Sequence, residues 1–234
     1  MTDASRTELI AKQVRKHSNE VAILKYLCMI RPQSPHVISL ISTVSTSHEE
    51  WIILPKQIPI IELFQQAAGA CLHRKLVKCS FQLIKGLGYL HMHRVAHLDI
   101  KPSNLVCTNH GDLQIIDFDS AVQVESRDDQ IEGVCGTCGW RAPEIGDDEE
   151  GVRLTPVFSL IRADRWSCGR VLLELLGGVG TKGEVLVAFA KRLMDADPCC
   201  RPSLLEWDGL EEGGNEGPFV QGYTSLSTSP GLYE

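Results

Sequence analysis

The sequence predicts an α+β fold, in which a small lobe of strands and one helix precedes a larger, mainly helical lobe. Two observations support this prediction. Short apolar runs typical of strands dominate the chain before residue 71, whereas the longest amphipathic pattern, residues 71–93, and an almost wholly apolar helical pattern from Ala163 lie after it. With 234 residues, 43% of them hydrophobic, the chain can form one large domain or two small lobes around a sizeable core.

The predicted small lobe contains three strands and a helix. Short apolar runs predict strands at residues 8–14, 37–43 and 49–55. Between the first two runs, Val21, Leu24 and Leu27 recur at helical spacing, which predicts a helix over residues 19–28 with one apolar face.

The predicted large lobe begins with a long helix. Leucines and a cysteine recur every three or four residues over 71–93, which indicates one core-facing stripe. Two strands around the turn 109–112 follow, and residues 119–150 have no periodicity and are predicted to form a long loop. Helices are predicted from Ala163 to the glycines at 177 and 178 and over residues 184–198. The Gly-, Glu-, Ser- and Pro-rich residues 208–234 predict a disordered tail.

Composition excludes several classes of function. The net charge of −7 argues against a nucleic-acid partner, and no apolar run is long enough to span a membrane. Nine scattered cysteines, an odd number, favour an intracellular, cytoplasmic setting over a disulfide framework. Cys135 and Cys138 form a C-x-x-C pair; free thiols are favoured, with a zinc site as the alternative because a second such pair is absent.

The stretch "HLDIKPSN" combines several chemically capable side chains. Asp99 can accept a proton from a hydroxyl, and Lys101 can offset developing negative charge. Asn104 and Asp117 are oxygen donors on successive loops, which suits Mg²⁺ bound to a phosphorylated substrate. The alternative is that Asp99 and Asn104 are turn formers in a surface loop.

These motifs resemble those of the eukaryotic protein kinases. "HLDIKPSN" is similar to the catalytic loop H-R-D-L-x-x-x-N, "DFD" at 117–119 to D-F-G, and residues 142–144 to A-P-E. "GTCGWRAPE", "ADRWSCGRVLLELLGG" and "DPCCRPS" resemble later segments of the family, in the family order. The resemblance implies a bilobal kinase-like fold, with a truncated N-lobe at 1–57, a C-lobe at 58–207 and the tail beyond.

The resemblance also implies roles for individual residues. Lys12 would contact the α- and β-phosphates of ATP, and Glu20 would form an ion pair with it, although only eight residues separate the two. By the same resemblance Thr137 belongs to the segment that docks the substrate. Two structural contacts are also implied: Asp164 would cap the catalytic-loop backbone, and Arg201 would pair with Glu144. His97 is expected to brace that loop, with a general base as the alternative.

Three features depart from the family pattern. None of the 11 residues before Lys12 is Gly, so the glycine-rich loop is missing and the N-lobe is expected to lack two strands. Leu98 stands where many kinases carry an Arg that pairs with a phosphate, so activation is expected not to need phosphorylation of the segment. Asp119 replaces the Gly of D-F-G, a position where Gly usually allows an uncommon backbone conformation.

The resemblance implies a protein serine/threonine kinase that uses ATP and Mg²⁺ and acts on a protein substrate. Asp99 and Lys101 would be catalytic, Lys12, Glu20, Asn104 and Asp117 would bind the nucleotide, and Asn104 and Asp117 would hold the metal. The main alternative is a catalytically impaired pseudokinase that acts as a scaffold or regulator. A small-molecule phosphotransferase is the third hypothesis, which the A-P-E segment and the buried D-x-W-x-x-G helix disfavour. The sequence does not indicate an oligomeric state.

Overall fold

A computed structural model describes residues 8–15, 18–47, 49–65, 69–146, 156–177 and 183–207. The strands are β1 (Leu9–Val14), β2 (Ser42–Ser45), β3 (Glu50–Pro55), β4 (Ile58–Pro59), β5 (Val95–Ala96), β6 (Leu105–Cys107), β7 (Leu113–Ile115), β8 (Val122–Gln123), β9 (Gln130–Glu132) and β10 (Val157–Ser159). The helices are α1 (Asn19–Met29), α2 (Ile60–Gln65), α3 (Gly69–Met92), α4 (Leu160–Leu176) and α5 (Glu184–Leu193). Small antiparallel sheets in the first part and helices in the rest confirm the predicted α+β fold class.

The first part is a three-stranded antiparallel sheet with α1 packed beside it. Its strand order is β1-β3-β2, and the register places Lys12 opposite Ile52. Ile52 is fully buried, so the sheet face that carries Ile52 and Lys12 is directed inward. Within the described residues β1 is an edge strand that pairs with β3 alone.

Helix α1 begins directly after the residue that caps it, Ser18. The Oγ of Ser18 accepts a hydrogen bond from the backbone N–H of Glu20 at 3.1 Å, the usual N-cap arrangement. The three apolar residues with helical spacing, Val21, Leu24 and Leu27, are all buried, which confirms the predicted face. Glu20 is also on the buried side, with only 1% of its surface exposed.

Two predictions about the irregular segments were partly wrong. The strand predicted over residues 37–43 begins only at Ser42, because residues 36–38 instead form backbone hydrogen bonds with Ile115 of β7. The loop predicted over 119–150 contains two short strands: β8 pairs with β5 and β9 pairs with β10. These pairings lie far apart in sequence, so no local periodicity reveals them.

The larger part is built around α3 and α4, which each contribute more buried hydrophobic residues than any other element of the described chain. Leu83, Leu87 and Leu90 on the predicted stripe of α3 are fully buried. Helix α4 starts three residues earlier than predicted, and α5 ends at Leu193 rather than near Pro198. The β6–β7 hairpin forms as predicted, since Leu105 pairs with Ile115 across the turn.

Some predictions lie outside the described residues. These are the disordered tail at 208–234 and residues 147–150 of the predicted loop. Among the residues that are described, no helix has the length and apolar character to cross a membrane.

Candidate active site

The predicted site residues line one cleft between the small sheet and the loops that follow β5 and β7. Its volume is about 310 Å³, and its lining includes Lys12, Glu20, Asp99, Asp117 and Asp119. Five residues from four separate segments of the chain therefore meet at one place. Lys101 and Asn104 join the same cleft through their contacts with Asp99.

Lys12 connects the sheet, α1 and the segment after β7. Its Nζ lies 2.9 Å from both carboxylate oxygens of Glu20 and 2.6 Å from Oδ1 of Asp117. Burial lowers the pKa of Lys12, but the hydrogen bonds to Asp117 and Glu20 outweigh it and hold the pKa above its usual value. The eight-residue spacing of Lys12 and Glu20 is therefore long enough for the ion pair.

Glu20 makes a further contact that fixes α1. One of its oxygens accepts a hydrogen bond from the backbone N–H of Phe118 at 3.3 Å. Because the side chain of Glu20 is 2% exposed, its charge depends on these protein partners rather than on water. Helix α1 is thus held against both β1 and the D-F-D segment.

Asp99 is surrounded by hydrogen-bond donors. Its carboxylate accepts from Oγ1 of Thr137 at 2.7 Å and from Nδ2 of Asn104 at 3.0 Å, and it lies 2.7 Å from Nζ of Lys101. Burial raises the pKa of Asp99, but the hydrogen bonds from Lys101 and Thr137 have the larger combined effect and lower it. The pKa of Asp99 therefore lies below its usual value. Asp99 is therefore a carboxylate, which is the form that accepts a proton.

A buried aspartate supports the backbone of the catalytic loop. Asp164, on α4 and fully buried, accepts hydrogen bonds from the N–H groups of His97 and Leu98, each at 2.7 Å. His91 of α3 lies 3.1 Å from the same carboxylate. The His97 ring bridges the carbonyl of Ile116 and the N–H of Asp99 at 3.0 and 3.3 Å. His97 thus braces the loop, as expected.

Two non-glycine residues of the site adopt left-handed backbone conformations. Leu98 has φ 63° and Asp117 has φ 67°. An uncommon backbone conformation was expected at position 119, where Asp replaces Gly; this was wrong, since Asp119 does not have a positive φ. Asp is one of the residues that tolerates this region best, which fits its presence at position 117.

The oxygen donors at 104 and 117 fit a magnesium ion. The amide nitrogen of Asn104 donates to the carbonyl and the carboxylate of Asp99, which leaves the Oδ1 of Asn104 as an acceptor. Asp117 uses Oδ1 for Lys12, and its side chain is 36% exposed toward the cleft. One carboxylate and one amide oxygen suit Mg²⁺, which takes few protein ligands.

The segment from Cys135 to Ile145 packs closely on the catalytic loop. Gly136 has φ 79°, and a Cβ on it would lie 2.7 Å from the carbonyl oxygen of Leu98. Further along, Glu144 binds the buried Arg201 through two hydrogen bonds of 2.6 and 2.8 Å. The family resemblance predicted the contact between Glu144 and Arg201. It did not predict the close approach of Gly136 to Leu98, for which the only indication in the sequence is the glycine directly before Thr137.

All nine cysteines lie within the described residues, and none of them forms a disulfide bond. Burial raises the pKa of Cys135 to about 11, and the charge of Asp164 adds to the effect. Its thiol is therefore protonated at neutral pH.

Comparison with known proteins agrees with this geometry. The sequence profile of the family described as the protein kinase domain matches residues 4–182. The chain is 30% identical over 182 residues to the Serine/threonine-protein kinase grp of Drosophila melanogaster, and the aligned residues cover 76% of this chain and 32% of the relative. It is 32% identical over 173 residues to the CBL-interacting serine/threonine-protein kinase 3 of Arabidopsis thaliana, with 72% and 36% covered.

The chain belongs to the protein kinase family. A further relative, the CBL-interacting serine/threonine-protein kinase 15 of Arabidopsis thaliana, is 27% identical over 172 residues, with 72% of this chain and 37% of the relative covered. The chain thus spans roughly a third of the length of these curated relatives.

Proposed function

We propose that the protein is a serine/threonine protein kinase, which transfers the γ-phosphoryl group of ATP to a hydroxyl of a protein substrate. One observation carries this proposal: Asp99, a carboxylate held by Lys101 and Thr137, lines the same cleft as the ion-paired Lys12 and Asp117. A proton acceptor and a phosphate- and metal-binding group are therefore next to each other, as phosphoryl transfer requires.

Each residue has a distinct task in this proposal. Bound Mg-ATP would supply the phosphoryl group and the metal charge that neutralises the phosphates. Asp99 orients the substrate hydroxyl and takes its proton. Lys101, 2.7 Å from Asp99, supplies positive charge where negative charge develops. Asn104 and Asp117 would hold the metal.

Lys12 and Glu20 act together in binding the nucleotide. Lys12 offers its ammonium group to the α- and β-phosphates, and the ion pair with Glu20 keeps it directed into the cleft. Because burial alone would favour the neutral amine, the two carboxylates that raise its pKa keep Lys12 charged.

Two observations support the preference for serine or threonine over tyrosine as the acceptor. Lys101 donates to Oγ1 of Thr137 at 2.7 Å, which ties the catalytic loop to the segment expected to dock the substrate. The names of the relatives describe serine/threonine kinases.

We also propose that the boundary between the lobes lies between residues 57 and 58, since β4 pairs with β6 and not with the three-stranded sheet. An intracellular setting fits the finding that none of the nine described cysteines forms a disulfide bond.

A second candidate is a regulatory kinase-like protein that does not transfer phosphate. Asp119 adds a carboxylate to a cleft that must receive a triphosphate, and β1, which carries Lys12, is a sheet edge within the described residues. Both features would weaken nucleotide binding.

Two measurements on the purified protein separate these candidates. Mg-ATP should raise the melting temperature of the wild type, and Asp117→Ala should abolish that rise. Transfer of labelled phosphate to serine-containing peptides should fall by about 10²–10⁴-fold in Asp99→Asn, because the proton acceptor is lost. Glu8→Gln, which alters an exposed carboxylate paired with Lys56 outside the cleft, is the control and should match the wild type. A wild type without shift or transfer would refute the kinase proposal and favour the regulator.

A further inference from the structure

We propose that Ser18 and Asp119 form a latch, a side-chain hydrogen bond that holds the start of α1 against the D-F-D segment. In this role Asp119 is a positioning residue for Glu20 and Lys12. The effect of the latch on turnover rests on the kinase function proposed above, whereas its effect on the position of α1 does not. The aspartate at the position where the family pattern has Gly would then be a gained contact and not a defect.

The latch depends on one hydroxyl that makes two contacts at once. The Oγ of Ser18 donates to Oδ1 of Asp119 at 3.1 Å and accepts the N–H of Glu20 at 3.1 Å. A serine hydroxyl carries one donor and two acceptor sites, so both bonds are compatible. The residue that caps α1 therefore also connects α1 to the segment after β7.

The position of the latch explains why it would matter for the site. Glu20 lies two residues after Ser18, and its buried carboxylate binds Lys12 and the N–H of Phe118. Phe118 and Asp119 are neighbours, so α1 meets this segment at two adjacent points. The negative charge of Asp119 at the N-terminus of α1 is also favourable for the helix dipole. Movement of α1 away from the segment would break both contacts together.

A matched pair of substitutions separates the latch from helix capping. Asn and Asp cap helices about equally well, but only Asn can donate a hydrogen bond to Asp119. Ser18→Asn should therefore keep the latch, whereas Ser18→Asp keeps the cap and places two carboxylates against each other. Hydrogen exchange of the α1 amides at residues 23–27, measured without nucleotide, should be about three- to tenfold faster in Ser18→Asp than in Ser18→Asn.

A compensating change tests the contact directly. In the double variant Ser18→Asp/Asp119→Asn, the new amide at 119 can donate to the new carboxylate at 18, so α1 exchange should return toward the wild-type rate. Asp119→Gly should speed exchange as Ser18→Asp does. Equal rates in the two Ser18 variants, or no recovery in the double variant, would overturn the latch.

The outcome also separates the latch from the proposed function. If the exchange pattern holds and the wild type transfers no phosphate, the latch stands and the kinase proposal fails. If the wild type is active, Ser18→Asp should raise the KM for ATP or lower kcat, and Ser18→Asn should leave both unchanged. An active wild type with equal exchange in both variants would refute the latch alone.

Discussion

Replacement of Gly136 by Ala should separate the segment from Cys135 to Ile145 from the catalytic loop. Gly136 has φ 79°, and a Cβ there would lie 2.7 Å from the carbonyl oxygen of Leu98. Gly139 provides a matched control, because it has φ 81° and a Cβ on it would meet nothing within 4 Å. Gly136→Ala and Gly139→Ala thus share the backbone conformation and differ in the contact.

The expected difference in stability follows from two free-energy costs, one for the backbone conformation and one for the close contact. A left-handed conformation costs a non-glycine residue about 1–2 kcal/mol, and this cost applies to both variants. Overpacking against fixed backbone costs about 1–3 kcal/mol more, and it applies to Gly136→Ala alone. At about 2–4 °C per kcal/mol for a chain of this size, the melting temperature of Gly136→Ala should lie about 2–12 °C below that of Gly139→Ala.

Thermal unfolding monitored by calorimetry measures this difference. Phosphoryl transfer should fall more in Gly136→Ala as well, because Leu98 directly precedes Asp99 and Thr137 directly follows Gly136. If the two variants had the same melting temperature and the same activity, the close approach of this segment to the catalytic loop would be refuted.

Three further predictions concern other parts of the molecule. Arg201→Met should destabilise the fold by about 3–5 kcal/mol in urea unfolding, because it leaves Glu144 without its buried partner. Burial lowers the pKa of His36 in the folded protein. As the pH falls, the unfolded chain therefore takes up a proton first, near pH 6.5, and the free energy of unfolding should fall between about pH 7.5 and about pH 5.5. This fall should be smaller in His36→Asn than in the wild type. Phosphatase treatment should leave phosphoryl transfer unchanged, since Leu98 has no group that binds phosphate.

Each of these has a defined contrary result. For the ion pair, the double variant Arg201→Met/Glu144→Met should recover part of the loss, and a single-variant effect below about 1 kcal/mol would contradict the argument. For His36, an equal pH dependence in wild type and His36→Asn would contradict the titration. For Leu98, loss of activity on dephosphorylation would show that the segment needs a phosphate.

Local patterns predicted the fold best. The helical spacing in α1 and α3 and the turn between β6 and β7 were visible because they depend on residues close in the sequence. The short strands β8 and β9 were not, since each forms only by pairing with a strand distant in the chain. Their stability comes from tertiary contacts, which a single sequence does not display.

The candidate site shows the same division. Asp99 and Asp117 followed from their motifs, and the structure places them at one cleft with Lys12 and Glu20. Lys101 and Asn104, from the same motif as Asp99, contact its carboxylate. The hydrogen bond between Ser18 and Asp119 joins residues 101 positions apart and belongs to no motif. Only the structure shows this contact, because in the sequence Asp119 is a departure from the family pattern.

The central claim is that Asp99 and Asp117 act on one magnesium-bound triphosphate. A crystal structure with Mg²⁺ and a non-hydrolysable ATP analogue tests it most directly. We predict a metal ion about 2.1 Å from oxygens of Asp117 and Asn104, with the γ-phosphate between that ion and Asp99. A triphosphate bound outside this cleft, or an ion that does not contact Asp117, would contradict the account.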